Sequence, residues 1–251
     1  MRRITQSLCV SVVCVAVLLY GAALSFPIPA TGCVQSSRKT CVGSGVYIGN
    51  GFILTNQHVA EMLSNQFSFL MPAWKHLWRT TDAGVQKVIY LNRDIDLGIV
   101  KLQPSLLNIA RVATPCLSTR PLQRGERLRV TGDVGGVFPP VSATLTVSDP
   151  QPLMRLDPDP PTAGVSRYSA MSIVATLSAK PARLVGHGSS GGPALNSKGE
   201  LVGLVWTGMA LEDSSAEVLI TPASVWLRNL QSSDMSKDDL QFILGTQCEG
   251  N

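Results

Sequence analysis

Short apolar segments separated by turn-forming residues constrain this chain more than any other feature of its sequence. They are five to seven residues long and rich in β-branched residues, and they read GVYIG, GFILT, QKVIYL, LGIVKL, RLRVTG, SATLTVS, SIVATLS, ELVGLVW and EVLIT. Segments of this length and composition, bounded by Gly, Pro, Asn or Asp, are typical of β-strands. Because no helical pattern lies between them, the series predicts an all-β sandwich or barrel.

Two short helices are predicted near the C-terminus. Residues 221–230 place a threonine suited to an N-cap before a proline suited to the first turn. Residues 236–245 begin with Ser-Lys-Asp-Asp, which resembles a capping box, and end at a glycine. Elsewhere, the five prolines of residues 149–164 predict a surface loop, and residues 59–88 are assigned to loop with one short strand.

The first 25 residues have the features of a secretory signal peptide. Arg2 and Arg3 precede an apolar stretch over residues 8–20, and small residues follow it. This order predicts cleavage after residues 1–25 and a mature domain over residues 33–250. The alternative is an uncleaved anchor, because the 17 residues of 8–24 reach the lower limit for spanning a bilayer. Both interpretations place the domain outside the cytoplasm, either secreted or periplasmic.

Composition narrows the classes of partner. Apolar residues make up 45% of the chain and charged residues 15%, which is enough apolar material for a buried core. Beyond the signal segment there are 19 basic and 17 acidic residues, and no basic run is interleaved with aromatics. Nucleic acid is therefore excluded as a partner, and membrane contact is expected only if the N-terminal segment is retained.

Four cysteines remain after the signal segment, and an even number in an exported chain predicts two disulfide bonds. Cys33 and Cys41 are close enough in sequence to close a hairpin, which leaves Cys116 to pair with Cys248. Pairing of Cys33 with Cys116 and of Cys41 with Cys248 stays open as the alternative. No CxxC pair or histidine cluster predicts a metal site, and no cofactor is expected.

The turn Gly-Ser-Ser-Gly-Gly-Pro at residues 188–193 is a candidate nucleophile site centred on Ser190. A nucleophilic serine needs a sharply turned backbone with few side chains, and amides aimed at the oxyanion that forms. Glycines on both sides supply those conditions, and the hairpin segment ALNSKGELVGLVW would hold the turn rigidly. Taken alone, the turn is equally compatible with an ordinary glycine-rich hairpin loop.

The serine needs a base, and the base needs a buried carboxylate that orients it. His58 follows the apolar strand FILTNQ directly, whereas His76 lies in the unpatterned segment AWKHLW. His187 is too close to Ser190 in sequence to act as the base and is predicted to line the substrate cleft. Asp96 precedes the apolar strand LGIVKL, where an unpaired charge is costly, and Asp94 is its rival as an exposed turn carboxylate.

Three segments, in the order His, Asp, Ser, carry a resemblance to a known family. They read GSGVYIGNGFILTNQHV, DLGIVKL and GSSGGPALNSKGELVGLV. Together they resemble the trypsin/chymotrypsin-like serine peptidases, especially the bacterial high-temperature-requirement (HtrA) type. The later stretch VLITPASVWLRNL is similar to another part of that family, so the resemblance covers residues 41–230.

The resemblance implies two antiparallel β-barrels packed face to face, and hydrolysis of protein or peptide substrates through an acyl-enzyme. His58 matches the general base, Asp96 the orienting carboxylate and Ser190 the nucleophile. The backbone amides of Gly188 and Ser190 match the oxyanion hole.

The chain departs from the family pattern at three places. Gly98 replaces an alanine two residues after Asp96, and Ser189 replaces the Asp or Asn that normally precedes the nucleophile. An Asp at that position accepts a salt bridge from a freshly cut N-terminus, so Ser189 implies that this activation switch is not used. No PDZ domain is expected, because only residues 231–251 follow the last similar stretch.

By the same resemblance, the floor of the primary specificity pocket falls at Leu184. Trp206, Thr207 and Gly208 line one wall, and the opposite wall lies near residues 218–219. None of these residues carries a carboxylate that could pair with a buried Lys or Arg side chain. The prediction is cleavage after Val, Ala, Leu or similar residues.

Two other functions are weighed against peptide hydrolysis. The first is an exported barrel that binds a protein partner without cleaving it, which Ser189 and the unusual segment 149–164 leave open. The second is an α/β-hydrolase esterase. It fails because that class needs the motif G-x-S-x-G on a strand-to-helix turn and the order Ser, Asp, His.

Overall fold

Strands dominate the described part of the chain. The computed structural model describes residues 28–29, 31–35, 41–63, 66–72, 78–103, 112–132, 141–156, 169–177, 188–210 and 215–248. The elements are β1 (Ile28–Pro29), β2 (Thr31–Gln35), β3 (Cys41–Gly49), β4 (Phe52–Thr55), α1 (Gln57–Glu61), β5 (Gln66–Pro72), β6 (Trp78–Asn92), β7 (Leu97–Leu102), β8 (Val112–Ala113), β9 (Arg127–Gly132), β10 (Val141–Leu156), β11 (Ser169–Leu177), β12 (Pro193–Leu195), β13 (Leu201–Ala210), β14 (Ala216–Pro222), α2 (Ala223–Leu230) and α3 (Lys237–Gly245).

The strands form two closed six-stranded barrels, as the sequence predicts. The first barrel has the order β2-β3-β4-β7-β6-β5, and the second has the order β10-β11-β14-β13-β12-β9. Neighbouring strands within both barrels are antiparallel. The short strands β1 and β8 pair in parallel outside the barrels. Closure removes the free strand edges that an open sheet would expose.

The alternation of side chains explains why these segments close into barrels. In β9, Leu128 and Val130 are fully buried, whereas Arg127 and Arg129, which alternate with them, are exposed. This period of two is the signature of a strand with one face in a core and the other in water. Strand β7 is instead buried on nearly every residue, because α1 covers its outer face.

The core of the first barrel continues between the barrels into the C-terminal helices. Leu204 from β13, Trp226 and Leu230 from α2, and Ile243 from α3 belong to the same buried cluster as Phe52 of the first barrel. The second barrel has a separate core, to which all six of its strands contribute. The shared cluster therefore fixes how the two barrels and the helices pack.

The C-terminal helix α3 is fastened to the first barrel by its side chains. The rings of Phe242 and Phe52 stack with centroids 5.1 Å apart. The ammonium group of Lys101 lies 2.6 Å from a carboxylate oxygen of Asp239 and 4.6 Å from the centroid of the Phe52 ring. Ser236 accepts a hydrogen bond from the amide of Asp239 and caps the helix, as its sequence predicts.

Both disulfide bonds follow the preferred pairing, and the alternative pairing is wrong. Cys33–Cys41 joins β2 to β3, and Cys116–Cys248 joins the segment between the barrels to the C-terminus. Leu117, next to Cys116, bridges to both Leu201 and Gln247. The C-terminus is therefore bonded to the segment that connects the two barrels.

Three predicted local structures need correction. The segment 149–156, predicted as loop, is the second half of β10, which pairs with β11 and absorbs two prolines at register shifts between Val147 and Leu153. Part of 59–88, predicted mostly as loop, forms the ribbon of β5 and β6. Helix α2 begins at Ala223 rather than at Pro222, which is its N-cap.

The N-terminal prediction lies outside the described residues. The proposed signal peptide or anchor, residues 1–25, precedes the first described strand. Among the described helices, none combines the length and the apolar character that a membrane crossing requires.

Candidate active site

His58 is carried by a short helix that starts where a barrel strand ends. Strand β4 ends at Thr55, and Asn56 occupies the N-cap position of α1 with extended backbone. Thr55 and Asn56 are fully buried, which anchors the start of the helix in the barrel. The His58 side chain, on the first turn, keeps 21% of its surface exposed. The imidazole is therefore accessible from solvent while its backbone is held rigidly.

Asp96 lies at the end of a tight turn between β6 and β7. Its φ angle is +42°, in the left-handed region that asparagine and aspartate tolerate better than most residues. Asn92 shapes the turn, because its side-chain oxygen accepts hydrogen bonds from the amides of Asp94 and Ile95. The amide of Asp96 donates to the carbonyl of Arg93 at 3.2 Å.

The His58 and Asp96 side chains meet directly. Asp96 Oδ2 lies 2.8 Å from His58 Nδ1, and Asp96 Oδ1 accepts the backbone amide of His58 at 3.1 Å. The Asp96 side chain is only 3% exposed, so both hydrogen bonds offset the free-energy cost of removing its carboxylate from water. The Asn56 side-chain amide also donates to the Asp96 carbonyl at 3.1 Å. A hydrogen bond at Nδ1 leaves Nε2 as the nitrogen that can accept a proton.

Asp94, the rival carboxylate, does not occupy this position. It is exposed, and its contribution to the structure is through its backbone. Its carbonyl accepts a hydrogen bond from the amide of Met171 at 2.9 Å, which ties the turn to strand β11 of the second barrel. The structure therefore brings Asp96 rather than Asp94 to His58.

Gly98 explains how the helix of His58 comes so close to the strand of Asp96. A Cβ atom built at Gly98 would lie 2.6 Å from the Cβ of Ala60 and 3.0 Å from the carbonyl oxygen of Asn56. Those distances leave no room for the alanine that the family pattern has at this position. The glycine at position 98, where the family pattern has alanine, therefore permits the close approach of α1 to β7.

Ser190 lies in a turn whose backbone only glycine tolerates at two points. Gly188 has a φ of +110° and Gly191 a φ of +84°. A Cβ atom at Gly191 would lie 2.1 Å from the carbonyl oxygen of Ser44 and 2.4 Å from Thr55 Oγ1. The turn of the second barrel is therefore pressed against strands β3 and β4 of the first. Ser190 itself remains half-buried.

The amides of the turn fall into two groups. Gly191 donates to the carbonyl of Val205 at 2.8 Å, and Gly192 donates to that of Ser189 at 2.9 Å. Among the described hydrogen bonds, none uses the amides of Gly188 and Ser190 as donors. These are the two amides that the family resemblance predicts for an oxyanion hole, and they belong to a turn with a glycine at positive φ.

Gly43 connects the two halves of the site. A Cβ atom there would lie 2.4 Å from the side chain of Val59, the neighbour of His58, and 3.1 Å from the carbonyl oxygen of Ser190. Among the described hydrogen bonds, none joins the hydroxyl of Ser190 to the imidazole of His58. In ligand-free proteins such catalytic hydrogen bonds are often long and tighten only when substrate binds.

The predicted specificity residues are only partly within the described chain. Leu184 and His187, like the rival base His76, lie outside it. Trp206 is 1% exposed and packs with Ala170 and Leu219 in a small apolar cluster. It sits at a β-bulge, because the pairing with β14 shifts register between Val205 and Thr207.

Other predicted wall positions differ in what they contact. The side chain of Val218 belongs to the interior of the second barrel and not to the small cluster around Trp206. Thr207 is nearly buried, whereas Gly208 is partly exposed on the same strand. The assignment of Trp206, Thr207 and Gly208 to substrate binding stays a prediction.

Sequence reasoning missed three residues that hold the site together. Ser44, Thr55 and Asn56 are all completely buried polar residues that hydrogen-bond around the two halves of the site. Ser44, Thr55 and Asn56 lie within the motif GSGVYIGNGFILTN, close to its two continuous apolar runs. A polar residue recurring on the buried face of a strand was the available signal.

Comparison with solved structures shows what this double barrel is similar to. The apo protease domain of MamO from Magnetospirillum magneticum aligns with a TM-score of 0.57 over 83% of this chain and 98% of that chain, at 18% identity. The active form of the Rv3671c protease from M. tuberculosis gives 0.55 over 86% and 85%, also at 18% identity. The HtrA-type protease AlgW, solved with a tripeptide, gives 0.53 over 85% and 62%, at 17% identity.

The sequence identities are low, so the similarity to these structures establishes the fold alone. A comparison with curated proteins finds no match. A family model described as a trypsin-like peptidase domain matches residues 43–204, which include His58, Asp96 and Ser190. That span is well over half of the chain, and it runs through both barrels. The chain therefore belongs to the trypsin-like peptidase domain family, and its structural neighbours are HtrA-type, MamO and Rv3671c proteases.

Proposed function

We propose that this protein is an exported serine endopeptidase with the triad His58, Asp96 and Ser190. The observation that carries the proposal is the pair formed by a buried carboxylate and a partly exposed imidazole, with Asp96 Oδ2 2.8 Å from His58 Nδ1. A buried aspartate on Nδ1 holds the ring in one tautomer and stabilises the imidazolium that forms during catalysis. Membership of the trypsin-like peptidase domain family makes protein or peptide the expected substrate class.

The proposed reaction proceeds in two stages. Ser190 Oγ attacks the carbonyl carbon of the scissile bond while its proton moves to Nε2 of His58. The tetrahedral intermediate collapses, the carbon–nitrogen bond breaks, and the leaving amine takes the proton from His58. Water then attacks the acyl-enzyme by the same route, again giving its proton to His58, and the acid product leaves as Ser190 regains its proton.

The amides of Gly188 and Ser190 are proposed to bind the oxyanion. This assignment is supported by their position in a buried turn and by the absence of other acceptors among the described residues. Preorganised donors of this kind are worth about 10²–10³ in kcat each. Ser189, which is only 3% exposed, stands beside them where the family has Asp or Asn, so the turn is proposed to keep its shape without a salt bridge to an N-terminus.

Cleavage after small or aliphatic residues is proposed as the specificity. The supporting features are Leu184 at the predicted pocket floor and the apolar cluster of Trp206, Leu219 and Ala170 beside the predicted wall. Burying an aliphatic side chain contributes about 1.5–3 kcal/mol. A lysine or arginine would be desolvated there without a partner, at a cost of several kcal/mol.

Export is proposed from the N-terminal segment and from the cysteines. Residues 1–25 carry the pattern of a signal peptide. The two disulfide bonds are compatible with an oxidising compartment, whether the protein is secreted, periplasmic or held by an uncleaved anchor.

A fluorophosphonate probe tests the triad on the purified protein. We expect labelling at Ser190 and hydrolysis of casein and peptides, and we expect Ser190→Ala to abolish both. His58→Ala and Asp96→Asn should lower kcat by about 10⁴. Asp94→Asn is the matched control, because it changes a nearby carboxylate of the same turn, and it should leave the rate unchanged.

The same experiment decides between hydrolysis and binding alone. A correctly folded protein that neither reacts with the probe nor cleaves any member of a positional-scanning peptide library would support the non-cleaving binding module instead. In that library, a dominant preference for Lys or Arg would show that the pocket has been misplaced while leaving the triad intact.

A further inference from the structure

Ser44, in strand β3 of the first barrel, hydrogen-bonds to the turn of residues 188–193 in the second barrel and to Thr55 of the neighbouring strand β4. Its amide donates to the carbonyl of Ser190 at 2.7 Å, and its hydroxyl donates to the carbonyl of Gly188 at 2.7 Å. Its own carbonyl accepts the hydroxyl of Thr55 at 2.6 Å. Ser44 and Thr55 are fully buried, so none of these bonds competes with bulk water.

The two carbonyls that Ser44 holds lie in the 188–189 and 190–191 peptides. These two peptides flank the amide of Ser190, which with the amide of Gly188 is proposed to bind the oxyanion. A glycine at positive φ has access to more backbone conformations than any other residue, so the peptide after Gly188 has little intrinsic preference for one orientation. The Ser44 hydroxyl supplies the acceptor with its donor and so selects one orientation. A neutral hydrogen bond in a buried site is strong locally and leaves a costly unpaired carbonyl when it is removed.

We propose that Ser44 is a positioning residue for catalysis, a latch from the first barrel that keeps the nucleophile turn in its oxyanion-binding shape. This inference rests on the proposed function. In relatives that have an aspartate before the nucleophile, a salt bridge from the N-terminus to that aspartate stabilises the turn. This chain has Ser189 at that position, and the hydrogen bonds from Ser44 are proposed to stabilise the turn instead. Its expected effect falls on the transition state, because the oxyanion exists only there and in the tetrahedral intermediates.

The test compares Ser44→Ala with Ser172→Ala. Ser172 is the matched control, because its hydroxyl is also fully buried but has no hydrogen-bond partner in the described part of the chain. For Ser44→Ala we expect kcat on a peptide substrate to fall about ten- to a hundredfold, within the range for a weakened oxyanion hole, with KM changed less than about twofold. Ser172→Ala should retain the wild-type kcat.

The inhibition constant of a peptide aldehyde distinguishes a role in positioning the oxyanion hole from a merely structural role. Its carbonyl adds to Ser190 Oγ, the hydroxyl proton moves to His58, and the new oxyanion occupies the proposed hole. Its inhibition constant should rise in parallel with the fall in kcat for Ser44→Ala, while binding of the matching product acid, which forms no such adduct, stays the same.

The outcomes separate the latch from the proposed function. If the wild type is active and Ser44→Ala is folded with unchanged kcat and aldehyde affinity, the latch is refuted and the triad stands. A rise in KM alone refutes it as well. If Ser44→Ala does not fold, Ser44→Cys, which keeps a weak donor, should give an intermediate kcat, and full wild-type kcat there refutes the latch. A wild type that is inactive and unlabelled at Ser190 refutes the proposed function and the latch together.

Discussion

Replacing Gly98 with alanine tests whether the close approach of α1 to β7 sets the position of His58. The added Cβ atom would lie 2.6 Å from the Cβ of Ala60 and 3.0 Å from the carbonyl of Asn56. Ordinary carbon–carbon contacts begin at about 3.5 Å, so helix and strand must separate by nearly an ångström. Overpacking of this kind costs about 1–3 kcal/mol of unfolding free energy.

The same displacement reaches the proposed catalytic pair, His58 and Asp96. Ala60 and Asn56 flank His58 within one turn of α1, whereas Asp96 lies two residues before Gly98 on the opposing segment. Separating them lengthens the bond between Asp96 Oδ2 and His58 Nδ1. A misplacement of about 1 Å costs on the order of 10² in rate, so we expect kcat/KM of Gly98→Ala to fall about a hundredfold.

Thermal unfolding and peptide hydrolysis, normalised by active-site titration, measure both effects. The double variant Gly98→Ala with Ala60→Gly is the control, since it removes the closer of the two colliding atoms, the Cβ of Ala60. It should recover most of the activity, with stability still reduced by the roughly 1 kcal/mol that a glycine costs in a helix. A single variant with wild-type Tm and kcat/KM would refute the packing argument.

Three further predictions concern stability. The hydrogen bond from Lys101 holds the pKa of Asp239 below its ordinary value. The pair therefore stabilises the fold fully at pH values above the ordinary pKa, and this stabilisation is lost as the pH falls through the lowered pKa. Asp239→Asn should therefore lower the free energy of unfolding by about 1–2 kcal/mol at neutral pH, with the difference from wild type shrinking toward pH 2; a constant difference would contradict this. Replacing Cys116 and Cys248, which are 132 residues apart, with alanine should lower the free energy of unfolding by about 5 kcal/mol. The same change at Cys33 and Cys41, which are 8 residues apart, should lower it by about 2.5 kcal/mol. Denaturant unfolding of the two double variants compares the losses, and the reverse order would exclude loop entropy as the cause. Ser236→Ala should cost about 1 kcal/mol by removing the cap of α3, measured by thermal unfolding, and an unchanged Tm would contradict that role.

Local features of the fold were predictable because they depend on neighbouring residues. Short apolar segments rich in β-branched residues predicted most of the strands, and the Ser236 to Asp239 spacing predicted the start of α3. Local patterns failed where a long-range pairing overrode them. The proline-rich start of 149–164 was predicted as loop, yet residues up to Leu156 pair with β11, and the prolines are accommodated at register shifts.

The sequence by itself determined the kinds of residue available for chemistry: a histidine after one strand, two aspartates before another strand, and a serine in a glycine-rich turn. The sequence favoured Asp96 over Asp94, but only the tertiary structure explains the choice, because Asp96 is buried against His58 while Asp94 stays exposed. It alone revealed Ser44, whose hydroxyl reaches Gly188 across 144 residues of chain. Contacts of that separation arise from closing two barrels and packing them together, and no local pattern encodes them.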